Sequence, residues 1–464
     1  MNLINKYSKF INRNKGITTL ISAILIHLLI GNIFTFSNLI PYYESYLHYA
    51  RNSSEIPLKK LNYIAPTGLL FHNALPSVTG FLDDILGTRL LIIIGSISLL
   101  VSNLIMYFTT SYFLMIISYI LFGFCGSLTY FQTLRNCWKY FPNKKGLITG
   151  IILSSFGLSA FIFTSIGDFI INKDHIEPIN GYYQKEICEK FITYTKFFFW
   201  CVVIFGFIAV LLVFPYDIKY EEELKESIDE EFESNYKILP TDSDSNNSNS
   251  KPNTNNVPTN NNSNGDDKGD YPSLFKCLYS LDFLICLITV GCTLLFGFLL
   301  TNTYRTFGKE KGINDSILQN LSKCFTLINT FTRILWGLIL DKFGFTIPYL
   351  IVCINQVICS FFLCKASNNA NFYFLVCCCG VFSFAGHVTI FPNVINKKFG
   401  VDNSVVLLGI CGILGAISCL LGPILTLKII KDIEDYEIIY LIGSICSGIS
   451  AFCTFFIKYE KKKA

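Results

Sequence analysis

The chain has 464 residues, of which 52% are hydrophobic, 15% aromatic and 15% charged, and its mean hydropathy is +0.47. Soluble globular chains carry about 25% charged residues, so this chain has too few to cover two or three soluble domains. The composition excludes a soluble enzyme, a disordered protein and a small disulfide-linked scaffold, and it favours a protein that crosses a membrane many times. The net charge of +4 gives no indication of nucleic-acid binding.

The 18 cysteines do not indicate disulfides or a metal site, because most of them lie inside apolar runs and no C-x-x-C pair is present. We interpret them as small apolar side chains. Motifs for phosphate binding, for a zinc protease and for a serine nucleophile are also missing from the sequence. We therefore expect no enzyme activity, no metal and no cofactor.

Twelve apolar stretches are long enough to cross a bilayer, which requires about 20 mostly apolar residues per helix. We number them spans 1–12. Spans 1–6 are predicted near 17–40, 61–82, 90–108, 112–136, 146–171 and 195–214. Spans 7–12 are predicted near 280–302, 318–340, 346–364, 371–393, 402–427 and 436–457.

The polar segments divide these spans into two groups of six. Residues 221–233 are mostly acidic, and residues 241–264 are almost entirely Asn, Ser, Thr, Asp and Pro, a composition that favours disorder. The predicted organisation is a cytoplasmic N-terminus (1–16), a six-helix bundle (17–214), a cytoplasmic disordered linker (215–272), a second six-helix bundle (273–457) and a basic cytoplasmic tail (458–464). Lysine and arginine clusters at both ends and at 139–145 favour termini in the cytosol.

One short motif occurs in both halves at a constant offset. Gly80, Asp84 and Gly87 lie at the end of span 2, and Gly337, Asp341 and Gly344 lie at the end of span 8, each 257 residues later. A shared landmark in two groups of six spans indicates duplication, with a pseudo-twofold axis and a midplane cavity between the halves. The expected fold is an all-α membrane protein with 12 transmembrane helices in two pseudo-symmetric six-helix bundles.

The first copy of the motif, which runs from Gly80 to Arg89, resembles the loop 2–3 signature of the major facilitator superfamily, and the second copy lacks only the final arginine. Residues 139–163 are similar to a stretch of its oxalate:formate antiporter and monocarboxylate porter branch. The Asn-rich linker resembles those of apicomplexan proteins, where this superfamily includes pantothenate carriers. The resemblance implies alternating access, a cavity lined by spans 1, 2, 4, 5, 7, 8, 10 and 11, and a gating role for Gly80, Asp84, Gly87, Arg89, Gly337, Asp341 and Gly344.

Four titratable side chains fall near mid-membrane, where charge is costly, and all four lie on spans of the cavity type. These are Arg333, His27, His72 and His387. Arg333 resembles the branch's arginine on span 8, which is implied to bind the carboxylate of the substrate, and a guanidinium fits a carboxylate in two parallel hydrogen bonds. The alternative is a structural arginine paired with Thr326, Asn329 or Thr330.

The number of cations predicts the charge of the substrate. Antiporters of the branch carry a lysine on span 11 that balances a dicarboxylate, whereas the only lysine here, Lys428, lies at the outer end of that span. One cation favours a monocarboxylate. Each histidine is either a proton carrier or a packing residue. Tyr130, Gln132 and Asn32 are further candidates for substrate contact, and Arg135 is interpreted as an interfacial arginine at the end of span 4.

The sequence thus predicts a monomeric secondary transporter of a small organic anion, with protons as a second partner and the lipid bilayer as its surroundings. Lactate- or pyruvate-like acids and pantothenate are the substrates considered. The plasma membrane is the expected location, with an internal organelle membrane as the alternative. Two rival functions stay open: a carrier of neutral solutes or drugs with a structural Arg333, and a non-transporting receptor that signals through the linker.

Overall fold

The computed structural model describes residues 14–51, 61, 63–174, 176–179, 182–216, 271–428 and 435–457. The predicted N-terminal segment before residue 14, most of the predicted linker and the basic tail lie outside the described residues. The described residues from 14 to 215 and from 273 onwards belong to one compact unit.

Long helices dominate the described residues, and those of the first half match spans 1–6. Span 1 consists of Lys15–Ile30, a 3-10 turn at Gly31–Phe34 and the helix Phe36–Arg51. Spans 2–6 are Ile64–Ala74 with Pro76–Leu86, then Thr88–Phe108, Tyr112–Tyr140, Lys145–Ile171 and Lys190–Leu212. A short helix, Lys185–Cys188, precedes span 6.

The helices of the second half match spans 7–12 in the same order. A short helix, Leu274–Leu278, leads into them. The six spans are Leu281–Glu310, Asp315–Phe343, Thr346–Ala366, Ala370–Phe399, Val401–Lys428 and Asp435–Thr454.

Eleven of these helices are long and apolar enough to cross a membrane, and span 2 is the twelfth element although it is broken into two pieces. The break falls at Leu75, and Pro76 begins the second piece, where the missing proline N–H costs no helical hydrogen bond. Span 2 also continues to Leu86, beyond the predicted end at 82, and helical structure of span 1 continues to Arg51 rather than 40. The twelve-span, all-α fold is confirmed.

Large apolar side chains remain exposed along the outside of the bundle. Phe108 is 77% exposed, Trp200 61% and Phe452 65%. A soluble protein rarely leaves such side chains in contact with water, whereas lipid tails are a favourable environment for them. The protein is therefore a multi-pass integral membrane protein.

The loops after spans 2 and 8 each contain a glycine with a positive φ. Gly87 has φ +77° and Gly344 has φ +76°, a left-handed region that residues with a Cβ rarely adopt. Each glycine ends its helix and turns the chain into the next span. We call the side of the bundle on which these two loops lie the motif side.

The two halves meet along two related seams on the motif side. Span 5 packs on span 8, and span 11 packs on span 2. Gly337 and Gly80, which are equivalent in the repeat, both lie at these crossings: a Cβ at Gly337 would overlap the main chain of Gly146, and one at Gly80 would lie 2.9 Å from Val406 Cγ2. Small residues thus let the halves approach closely.

Candidate functional site

Arg333 lies in the seam between spans 5 and 8 and is only 5% exposed. Its Nη1 donates to the main-chain oxygen of Leu153 in span 5, at 2.6 Å, and its Nη2 donates to Asn329 Oδ1, one helical turn before it, at 3.1 Å. The Nε–H is buried and has no partner among the described residues. A guanidinium has five N–H groups, so this one retains free donors.

No carboxylate contacts Arg333 within the described part of the chain. Arg135, by comparison, is 6% exposed and contacts three carboxylates: Asp83 at 3.1 Å, Asp84 at 2.7 Å and Asp402 at 2.8 Å. Two buried arginines therefore have opposite surroundings. Arg135 is neutralised by the protein, whereas Arg333 is held only by neutral oxygens and keeps an uncompensated positive charge.

An aromatic cluster from spans 1, 2, 4 and 5 lies beside Arg333. The ring of Phe156 is 5.3 Å from that of Tyr130, 5.7 Å from that of His72 and 6.4 Å from that of His27. The next residue, Gly157, places this cluster near Arg333, because a Cβ added there would lie 3.7 Å from Arg333 Cζ. Three of the predicted substrate-contacting residues thus lie together around Phe156.

Several buried polar atoms at this level have no hydrogen-bond partner among the described residues. They are Arg333 Nε, His27 Nε2, Thr330 Oγ1 and Ser159 Oγ. Thr330 lies on the same span as Arg333, and Ser159 Oγ lies 3.0 Å from the position of a Cβ added at Gly31 in span 1. Buried polar atoms are normally paired, so this concentration is typical of a place where a polar ligand binds.

The other predicted substrate-contacting residues lie elsewhere. Gln132 donates to Thr79 Oγ1 in span 2, at 2.9 Å, and Asn32 accepts from Tyr194 of span 6, at 2.9 Å. His387 Nδ1 lies 2.7 Å from Tyr349 Oη, between spans 9 and 10. Each of these side chains connects helices within one half, and the structure does not bring them to the Phe156 cluster.

The predicted gating residues lie at the motif side. Asp341 accepts hydrogen bonds from the main-chain N–H groups of Gly146 and Leu147, both at 2.8 Å, where span 5 begins. Asp84 contacts Arg135, which in turn contacts Asp402 in the first turn of span 11. In both seams, a carboxylate within one half's motif is linked to the start of a helix in the other half, directly for Asp341 and through Arg135 for Asp84.

The interpretation of Arg135 as an interfacial side chain is wrong. The position is right, at the end of span 4, but the guanidinium is buried among carboxylates from both halves. The sequence shows the acidic pair Asp83 and Asp84 but not that Arg135 reaches it, because the two segments are about 50 residues apart and meet only in the fold. Arg89, which the motif includes, is exposed.

Sequence reasoning missed one residue of the candidate site and named another correctly. Phe156 reads as one more apolar residue of span 5, and nothing in the sequence shows that histidines from spans 1 and 2 pack on it. Asn329, which the sequence analysis names as a partner of a structural Arg333, does contact it, and the i, i+4 spacing explains why.

A second concave feature among the described residues lies away from the Phe156 cluster. A groove of about 130 Å³ lies between spans 3 and 6, lined by residues such as Asn103, Tyr107 and Lys196, and it contains none of the predicted site residues. Within the described ranges, no group of three His, Cys, Asp or Glu side chains is arranged to hold a metal ion.

Comparisons with known proteins agree with the fold. The family model of the Major Facilitator Superfamily matches residues 20–423. An uncharacterized MFS-type transporter of Escherichia coli (strain K12), YhjX, is 22% identical over 288 residues, which are 61% of this chain and 57% of that protein. The match thus spans little more than half the length of this curated relative.

Two solved structures have the same fold over nearly the whole chain. The proton:xylose symporter XylE, bound to 6-bromo-6-deoxy-D-glucose, is 13% identical, with a TM-score of 0.65 and coverage of 94% of this chain and 95% of its own. The Escherichia coli fucose:proton symporter FucP is 11% identical, with a TM-score of 0.62 and coverage of 96% and 98%. At these identities the likeness concerns the fold alone.

Proposed function

The chain belongs to the major facilitator superfamily, and from that premise we propose that it is a secondary transporter of a small organic anion with one carboxylate. Members of this superfamily are transporters and not enzymes. The proposed mechanism is alternating access, in which the two halves rock about a site between them.

The observation that carries the proposal is the uncompensated charge of Arg333. A guanidinium that is 5% exposed, with Leu153 O and Asn329 Oδ1 as its partners, has lost most of its hydration without gaining a counter-ion. Such a charge inside a bilayer is costly unless something neutralises it. A substrate carboxylate would accept from the Nε–H and a remaining terminal N–H, which is the fork geometry that arginine offers to carboxylates.

The number of charges supports a monocarboxylate. The cluster around Phe156 adds two imidazoles and a phenol but no second permanent cation. A dicarboxylate would leave one negative charge unpaired in the same buried space. Lactate- or pyruvate-like acids and pantothenate remain the proposed substrates, in keeping with the resemblance of residues 139–163 to the oxalate:formate antiporter and monocarboxylate porter branch.

The seams suggest which side is closed. Contacts between the halves through Arg135, Asp341 and Gly150 lie toward the motif side. With both termini in the cytosol, we place the motif side there, so that the arrangement corresponds to closure toward the cytosol. Location in the plasma membrane, a monomeric state and coupling to protons through His72 belong to the same proposal.

A neutral-solute carrier is the second candidate. It is favoured by the two hydrogen bonds that hold Arg333 to the protein, as a structural arginine would be held. The sugar symporters XylE and FucP share the fold, which adds no evidence on substrate at their level of identity.

Uptake by the purified full chain in liposomes distinguishes an anion carrier from a neutral-solute carrier. We expect Arg333→Gln to lower uptake of radiolabelled monocarboxylates about 10- to 100-fold, because a charge-assisted hydrogen bond contributes about 1.5–3 kcal/mol. Lys323→Gln, on the exposed face of the same span, is the matched control and should have little effect. Unchanged anion uptake by Arg333→Gln, or uptake of sugars but of no acid in the panel, would favour the neutral-solute carrier.

A further inference from the structure

The orientation of His27 fixes which of its ring nitrogens carries a proton. His27 Nδ1 lies 2.8 Å from the main-chain oxygen of Ala23, one turn earlier in span 1. A carbonyl oxygen can only accept, so Nδ1 must be protonated to make this contact. In a neutral imidazole, the lone pair is then on Nε2.

The surroundings favour the neutral ring. His27 is 0% exposed, and its ring packs near Phe156, whose neighbour Gly157 lies close to the guanidinium of Arg333. A protonated His27 would place a second uncompensated cation in the same buried region. His27 Nε2 is therefore an acceptor and not a donor.

This acceptor has no partner. Nε2 is buried and no described residue donates to it. The rings beside it belong to Tyr130, with centroids 4.8 Å apart, and to Phe156. Buried acceptors are normally satisfied, so a donor from a bound ligand would fit this position.

We propose that His27 Nε2 accepts a hydrogen bond from a hydroxyl group of the substrate, and that the protein therefore selects hydroxy monocarboxylates over their deoxy and oxo analogues. This inference rests on the proposed function, in which Arg333 binds the carboxylate, and it adds His27, whose ring packs near that of Phe156, as the residue that binds a second group of the substrate. An oxo group can only accept and so cannot satisfy Nε2, whereas a hydroxyl can donate to it. The inference separates lactate- and pantothenate-like substrates, which carry hydroxyls, from pyruvate-like ones.

The test compares acids that differ in one group. The purified full chain in liposomes takes up a radiolabelled monocarboxylate, and unlabelled acids are added as competitors. The competitors are butyrate, its 2-, 3- and 4-hydroxy derivatives and 2-oxobutyrate. We expect at least one hydroxy acid to bind about fivefold or more tightly than butyrate, since an unpaired buried acceptor is penalised. The 2-oxo acid should bind no better than butyrate.

Two variants assign this preference to His27. In His27→Leu the preference for the hydroxyl should disappear while butyrate still competes. In His27→Gln, whose side-chain oxygen can lie near the position of Nε2, part of the preference should return. His387→Gln, changed between spans 9 and 10, is the control and should retain the preference.

Each outcome has a separate meaning. Equal competition by butyrate and all hydroxy acids, with transport intact, overturns the role of His27 and leaves the anion carrier standing, with water as the donor to Nε2. A hydroxyl preference that persists in His27→Leu also overturns it. If no acid in the panel competes or is transported, the proposed function fails and this inference fails with it.

Discussion

Asp341 in span 8 accepts a hydrogen bond from the main-chain N–H of Gly146, at 2.8 Å, in the first turn of span 5. The carboxylate belongs to one half of the molecule and the helix to the other. A negative charge at a helix N-terminus is stabilised both by the free N–H groups and by the helix dipole. The contact therefore joins the halves only when the motif side is closed, since a rocking motion would separate the two residues.

Replacing Asp341 with Asn should shift the protein toward the state that is open on the motif side. The loss of the charge at the start of span 5 costs about 0.5–2 kcal/mol, which corresponds to a shift of the equilibrium by about two- to thirtyfold. The measurement is the distance distribution between labels introduced as unnatural amino acids at Lys144 and Lys342, which are exposed on either side of this seam. Glu186→Gln, in the short helix before span 6, serves as the control, and an unchanged distribution in Asp341→Asn would remove the gating role.

Gly150→Ala should open the same seam by steric overlap. A Cβ at Gly150 would lie 2.5 Å from the carbonyl oxygen of Arg333, which is too close for span 5 to keep its position on span 8. We expect the labels at Lys144 and Lys342 to move apart and anion uptake to fall, since Arg333 shifts with its helix. Gly448→Ala is the matched control, because no atom lies within 4 Å of a Cβ there. Equal behaviour of the two alanine variants would contradict the prediction.

The sequence was sufficient for the fold because the relevant signals are local or repeated. Apolar runs of about 20 residues predict the spans, and the 257-residue offset from Gly87 to Gly344 predicts the duplication. The nearly equal φ of these two glycines agrees with it. The broken span 2 was found as one span because hydropathy does not register the interruption at Pro76.

The site was only partly predictable, because its residues are distant in sequence. Burial cost alone singles out Arg333 and the histidines as unusual in a bilayer, but it cannot show that His27 packs near Phe156 while His387 bonds to Tyr349 in the other half. The same limit applies to Arg135, whose partners come from spans 2 and 11. Whether a buried charge is paired is a property of the packed helices.

Arg135→Met should destabilise the protein by leaving a buried carboxylate without its counter-ion. The side chain of Asp83 is 5% exposed, and removal of one partner of such a pair costs about 3–5 kcal/mol. The measurement is the thermal midpoint of the detergent-solubilised protein, which should fall. Addition of Asp83→Asn should restore part of the loss, because the unpaired charge is then gone.

Lys139→Met is the comparison for this variant. Lys139 is 34% exposed and lies 3.5 Å from Asp402, so the pair should contribute at most about 1 kcal/mol. If the thermal midpoint fell as far in Lys139→Met as in Arg135→Met, the loss of any positive charge near the motif side, and not the loss of the buried ion pair, would explain the destabilisation.

Asn329→Asp should abolish anion binding without unfolding the protein. Asn329 Oδ1 lies 3.1 Å from Arg333 Nη2, so a carboxylate of nearly the same shape at this position would neutralise the guanidinium from within. The internal ion pair then takes the role that we assign to the substrate, and a second carboxylate would enter a region with no remaining positive charge. The charge of Arg333 would be balanced permanently, so we expect the thermal midpoint to stay the same or rise while uptake of monocarboxylates is lost. Asn329→Ser, which keeps a small neutral acceptor on span 8, should retain most of the uptake. If Asn329→Asp transported anions at the rate of the unaltered chain, Arg333 could not be the carboxylate site, because its charge would already be satisfied.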